Sequence, residues 1–92
     1  VKEADPETQR RIVNRLKRAR GQLDSVISAV ESGDGCRDVV TQLSAVSTAL
    51  DRAGFVVVSS AMQFCITDPE AAAASEDGLT VEELEKLFLS LS

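Results

Sequence analysis

The chain has 92 residues and a formal charge of −5; 43% of it is hydrophobic, with three Phe but no Trp, Tyr or His. A chain this short forms a single domain, here residues 1–92, and it buries a modest share of its surface unless copies associate. Without histidine it lacks the commonest general base and the commonest transition-metal ligand, which excludes ordinary hydrolytic triads and His-containing zinc sites.

Asp5-Pro6 predicts the start of a first helix, an N-cap acceptor followed by a proline whose missing N–H costs nothing in the first turn. The helix should run to about Ser32. Ile12, Leu16, Ala19, Leu23, Val26 and Val30 recur at steps of four and three and form one apolar stripe. Between Arg10 and Arg20 lie six basic residues and no acidic one, whereas residues 68–92 carry seven acidic residues and only Lys86 as a base. The negative total therefore does not argue against nucleic acid. On a helix, Arg11, Arg15 and Arg18 project within about 60° of one another, beside the apolar seam, and a row of guanidiniums so placed can contact successive phosphates. The plain alternative, a solvated helix face, is weakened because no acidic residue stands between Glu7 and Asp24.

Gly33-Asp34-Gly35 breaks the first helix, and Asp34 is expected to cap a second. There Val39, Leu43, Val46, Leu50, Ala53 and Val57 repeat the same alternation until Asp68-Pro69 stops it. Phe55-Val56-Val57-Val58 has strand propensity but sits inside this helical pattern, so it reads as helix that is apolar on more than one face. Residues 70–78, with four consecutive alanines, fit either a helical extension or a connection. A C-terminal helix opens with Thr80 and Glu83 at capping-box spacing and with Leu79 placed to staple onto Leu84; Val81, Leu84, Leu87, Phe88 and Leu91 form its buried face. No apolar stretch approaches the roughly 18 residues that span a bilayer, and the amino terminus lacks a secretory layout. The expectation is a cytoplasmic protein without a membrane partner. The chain has no glycine-rich phosphate loop and no carboxylate pair in a pocket-like context, so no enzyme is expected.

Two cysteines are too few for a secreted disulfide scaffold and read first as free thiols in a reducing compartment. With Asp34 as cap, Cys36 falls in the first helical turn, where the helix dipole and Arg37 favour a thiolate while Asp34 and Asp38 oppose it. Cys65 lies near the end of the same helix, where the dipole disfavours an anion. Cys36 is thus the better nucleophile and Cys65 the second thiol, although either one alone reads as a small buried hydrophobe. Their separation of 29 positions corresponds to ~44 Å of continuous helix, so they cannot meet within one chain. If two copies of the helix pack antiparallel about a dyad near Leu50 and Asp51, Cys36 of one falls level with Cys65 of the other, and two equivalent dithiol sites form.

The segment Arg15-Leu16-Lys17-Arg18-Ala19-Arg20-Gly21-Gln22-Leu23-Asp24, followed by Cys36, Gln42-Leu43-Ser44-Ala45-Val46, Cys65 and Glu82-Glu83-Leu84, resembles the copper-sensitive operon repressor (CsoR) family of bacterial transcriptional repressors over nearly the whole chain. The resemblance implies an all-α, three-helix protomer, with a long antiparallel hairpin and a short C-terminal helix. It also implies pairing into an antiparallel four-helix-bundle dimer, a dimer of dimers, and operator DNA released by an effector. DNA contacts in the family match Arg15 and Arg52; Arg18 is added by the stripe. In copper-sensing members Cu(I) is held by cysteines matching Cys36 and Cys65 and by a histidine one turn before the second. Here that position is Ala61, and Gly35 replaces a tyrosine often found beside the first cysteine. Two cysteines without the histidine resemble the persulfide-sensing branch, the CsoR-like sulfurtransferase repressors (CstR).

The expectation is therefore a repressor with operator DNA, its own copies (a homodimer and a homotetramer) and a small sulfur donor as partners. No resident cofactor or metal is expected. Two alternatives stand beside it: a Cu(I)-responsive repressor with a two-thiolate Cys36–Cys65 site, since a soft ion accepts two thiolates, and a cytosolic metal-buffering or helical interaction protein without an operator.

Overall fold

The computed structural model describes residues 1–2, 4–75 and 78–91. All regular structure among them is helical: α1 (Pro6–Glu31), α2 (Cys36–Thr67), α3 (Pro69–Ala74) and α4 (Val81–Ser90). α1 and α2 form a long hairpin, and α3 and α4 pack against α2, giving a molecule of 54 × 25 × 17 Å.

The caps follow from local chemistry. Asp5 accepts a hydrogen bond from the Thr8 backbone N–H at 2.7 Å and opens α1 with Pro6 in its first turn. That bond holds the Asp5 carboxyl below the ordinary carboxylate range. At the other end Gly33 adopts φ 75°, and its N–H donates to the Val30 carbonyl at 3.1 Å while that of Asp34 donates to Ala29 at 2.9 Å. These two bonds form a Schellman closure around a left-handed residue that favours glycine. The closure explains a departure from the sequence reading. The Asp34 backbone is committed to ending α1, so Gly35 is the N-cap of α2, with no side-chain cap bond, and Cys36 is the first residue of the helix.

The expected three helices are also joined by a fourth. Asp68 ends α2, donating its N–H to the Phe64 carbonyl, and its side chain then accepts from the Ala71 N–H at 3.1 Å to open α3. α4 begins as its sequence indicates, with the Thr80 hydroxyl accepting from the Glu83 N–H at 3.2 Å.

The core is thin. α1 buries Ile12, Ala19, Val26 and Ala29, and α2 buries Val46 and Ala53; where α3 and α4 join α2, Ala61, Cys65, Ala72 and Leu84 form a second cluster flanked by Met62, Phe64 and Leu79. The predicted stripes split between two surroundings. Leu16 remains 45% exposed, Leu23 43%, Leu43 46% and Leu50 49%. At about 100° per residue, Leu16, Leu23 and Ile27 project on one flank of the buried line of α1 and Arg11, Arg15 and Arg18 on the other. α2 repeats the division, with Leu43 and Leu50 on one flank of its buried line and Ala45, Ala49 and Arg52 on the other. The hairpin thus has one apolar face and one basic, polar face.

One sequence expectation is corrected. α2 is unbroken over 32 residues and is long and apolar enough, by length and composition, to cross a membrane. The expectation rested on the lack of an uninterrupted apolar run of that length, whereas an 18-residue window containing Asp51 and Arg52 still averages as apolar. The same composition arises in a helix that covers a neighbouring helix on one side and a subunit on another.

Candidate functional site

On the basic face the spacing of side chains builds an open groove. Arg11, Arg15 and Arg18 come from α1 at steps of four and three, and Ser44, Thr48 and Arg52 from α2 at steps of four, so each set lies along one side of its helix. Together they line a groove of about 780 Å³. The structure therefore brings Arg15, Arg18 and Arg52, far apart in sequence, onto one surface. Arg18 and Arg52 are exposed and Arg15 is half-buried. None of the three side chains forms a hydrogen bond or ion pair with another described residue. Uncompensated guanidiniums along a groove of this shape suit a row of anionic groups.

Arg11 was legible in the stripe, and the structure adds it to the groove. Sequence reasoning missed Asn14, Gln22 and Thr48 as lining residues. Their signal was present as the four-residue spacing of polar side chains beside each apolar line. Gln22 is notable because its Oε1 is buried with no hydrogen-bond partner among the described residues.

The thiols lie on the opposite face. Both cysteines are free, Cys36 exposed at the first turn of α2 and Cys65 buried near its end. The Cys65 thiol donates to the Leu79 carbonyl at 3.6 Å and packs among Ala61, Ala72 and Leu84. With α2 continuous between them, they sit at opposite ends of a ~48 Å helix and are not brought together within the protomer. Counted around α2, Cys36, Val40, Leu43, Leu50, Ala61 and Cys65 fall within a sector of roughly 80°. The two thiols and the exposed leucines therefore share the apolar face.

Within one protomer there is no metal centre to describe: among the described residues, no group of three or more Cys, His, Asp or Glu side chains is placed to hold an ion. Position 61, one turn before Cys65, is a buried alanine with no donor atom. Any site using both sulfurs must be completed by a second copy.

A family model described as metal-sensitive transcriptional repressor matches residues 8–90. The chain is 44% identical over 59 residues to the copper-sensing transcriptional repressor CsoR of Mycobacterium ulcerans, covering 64% of this chain and 50% of that protein. It is 37% identical over 73 residues to the protein of that name in Mycobacterium tuberculosis H37Rv, covering 75% and 61%. With the Bacillus subtilis protein of that name it shares 33% over 78 residues, covering 84% and 74%. The match thus spans about half to three fifths of the mycobacterial relatives. No solved structure matches the chain.

Proposed function

The chain belongs to the family of metal-sensitive transcriptional repressors, a family of regulators and not of enzymes, and from that premise we propose that it is a cytoplasmic DNA-binding repressor released by reactive sulfur. Residues 1–92 act as one domain that both holds DNA and senses the effector. Arg15, Arg18 and Arg52, with Arg11, bind phosphates of operator DNA from the basic groove. The exposed leucines of the other face pair two chains antiparallel, and two such dimers make a homotetramer.

The observation that carries the sensing mechanism is that Cys36 and Cys65 lie on the leucine side of α2 at its opposite ends, Cys36 exposed and Cys65 covered by α3 and α4. Antiparallel pairing about Leu50 and Asp51 sets Cys36 of one subunit level with Cys65 of the other. The exposed Cys36 thiolate attacks the sulfane sulfur of an organic persulfide, so that Cys36 becomes a persulfide and the donor leaves as a thiol. Attack of the partner subunit's Cys65 thiolate on the Cys36 sulfur then forms a disulfide and releases hydrogen sulfide. When Cys65 has itself taken up sulfur, the two persulfides condense to a trisulfide and again release hydrogen sulfide. Either bridge ties the ends of two helices together and changes how the paired grooves present their guanidiniums, which lowers DNA affinity. In this reading the histidine-free donor set is similar to that of the CstR branch.

A second reading is favoured by the relatives, which are named copper-sensing. In it Cu(I) bridges the same two sulfurs across the dimer, as a soft ion accepting two thiolates. Alanine at position 61 supplies no third ligand, so this site holds copper less firmly than a three-donor one. An anaerobic titration with an organic persulfide and, separately, with Cu(I), read as release of bound duplex DNA, separates the two. Release by persulfide at stoichiometric amounts supports the first reading, and release by Cu(I) alone replaces it with the second.

A further inference from the structure

A larger cleft opens beside the groove, where the amino-terminal half of α1, the middle of α2 and the end of α4 converge. Its volume of about 840 Å³ lies within the range of small-molecule sites. Its lining combines two chemistries: Arg11, Arg15 and Arg52, with Asp51 as the one acidic residue of the described lining, stand beside Phe55, Phe88 and Leu91. Hydroxyls of Thr48 and Ser59 lie along the wall.

The aromatic part of the lining is not explained by DNA binding or by pairing of the hairpin through its leucines. Phe55 is 58% exposed and Phe88 42%, and their rings meet edge to face with centroids 6.3 Å apart and planes at 68°. Phe55 projects roughly 120–140° around α2 from Leu43 and Leu50, so pairing through the leucine face leaves it uncovered. A phosphodiester backbone offers nothing apolar to lay on two phenyl rings. Two of the three phenylalanines of the chain thus stand open to solvent next to a cluster of guanidiniums.

The geometry points to a binding site for an organic anion with an apolar tail, its carboxylate on Arg11, Arg15 and Arg52 and its tail between Phe55, Phe88 and Leu91. Guanidiniums take a carboxylate through paired N–H donors, and the tail removes exposed aromatic surface from water. Because Arg15 and Arg52 are also assigned to DNA phosphates, an occupied cleft excludes DNA. That consequence rests on the DNA-binding reading; the site itself does not. The chain then integrates two inputs, one at the thiols and one in the cleft.

Calorimetric titration of the whole protein with octanoate, 1-octanol and octylammonium, each below its aggregation limit, tests the site directly. The expected result is one octanoate per protomer, octanol at least about tenfold weaker for want of the charge-assisted bonds, and no binding of octylammonium. Arg52→Gln and Phe88→Ser should each weaken octanoate about tenfold with helicity unchanged by circular dichroism. Equal binding of octanol and octanoate, undiminished binding in both variants, or no octanoate binding at millimolar concentration would overturn the proposal. So would a parent that ignores octanoate while Phe88→Ser sediments as a smaller species, because the cleft is then a subunit contact. With labelled duplex present, octanoate should displace DNA from the parent and not from Phe88→Ser. One-to-one octanoate binding without displacement upholds the site and refutes the assignment of its arginines to DNA.

Discussion

Replacing Arg52 by alanine tests the basic groove through its salt dependence. Arg52 is exposed, lines the groove with Arg15 and Arg18, and is paired with no described acidic residue, so its removal leaves no buried charge behind. For each antiparallel dimer that engages the duplex the substitution removes two guanidiniums. Each neutralised phosphate contributes about −0.9 to the slope of log affinity against log salt, so for one dimer the slope should flatten by about 1.8. Between 50 and 200 mM salt the affinity ratio of parent to variant should therefore shrink by roughly tenfold. Fluorescence anisotropy on a labelled duplex reads this out. Random-sequence DNA suffices, because the electrostatic contribution is independent of sequence. Parallel lines for parent and variant, with equal affinity at each salt concentration, would refute the phosphate assignment and reduce the groove to a solvated face.

Leu84→Ala should destabilise the fold by about 3 kcal/mol, as expected of a leucine 2% exposed in a small cluster, and it should speed the reaction of Cys65 with a thiol reagent in native protein. Asp5→Ala should fray the start of α1, seen as faster amide exchange near Thr8. The Asp5 carboxyl is held below its ordinary range, so its contribution is full above the usual carboxylate pKa and is lost as pH falls through the lower folded value. The stability gap between parent and variant should accordingly close in acid and persist at neutral pH. Ala61→His should tighten Cu(I) binding in a chelator competition; an unchanged affinity would mean that position 61 does not face the paired thiols.

Much of the fold was written in local chemistry. Asp5-Pro6, Asp68-Pro69 and Thr80 with Glu83 mark helix ends because each cap needs only residues within one turn, and the four-three stripe that contains Ile12, Ala19 and Val26 at every seventh residue locates the hairpin seam. What escaped the sequence depended on competition or on a third dimension. Asp34 has the side chain of a cap, yet its N–H is taken by the closure of α1 and the next helix opens one residue later. The alanines of α3 carry no amphipathic pattern, and only the docking of Ala72 against Cys65 and Leu84 gives that segment its place. The apolar stripes merged two adjoining faces, because Leu16 and Leu23 lie within one helical step of residues buried by α2, so periodicity could not divide the seam from the face left for a partner. The arginines were legible singly, whereas their convergence from α1 and α2 on one groove required the crossing of the two helices. The burial of Cys65 was equally hidden, since the residues that cover it lie in α3, Leu79 and α4.

The intersubunit thiol bridge is tested most directly by mixing two complementary variants. Cys36→Ser and Cys65→Ser chains, unfolded together and refolded, form mixed antiparallel dimers in which one end holds two cysteines and the other two serines. After an organic persulfide is added, the mixture should yield an SDS-resistant, reductant-sensitive dimer. Mass spectrometry should find Cys36 of one chain joined to Cys65 of the other, while each variant alone should give no Cys36–Cys65 linkage. A mixture that stays monomeric in SDS, while the parent protein crosslinks within single chains, would contradict the antiparallel pairing and with it the account of how sulfur reaches the DNA-binding face.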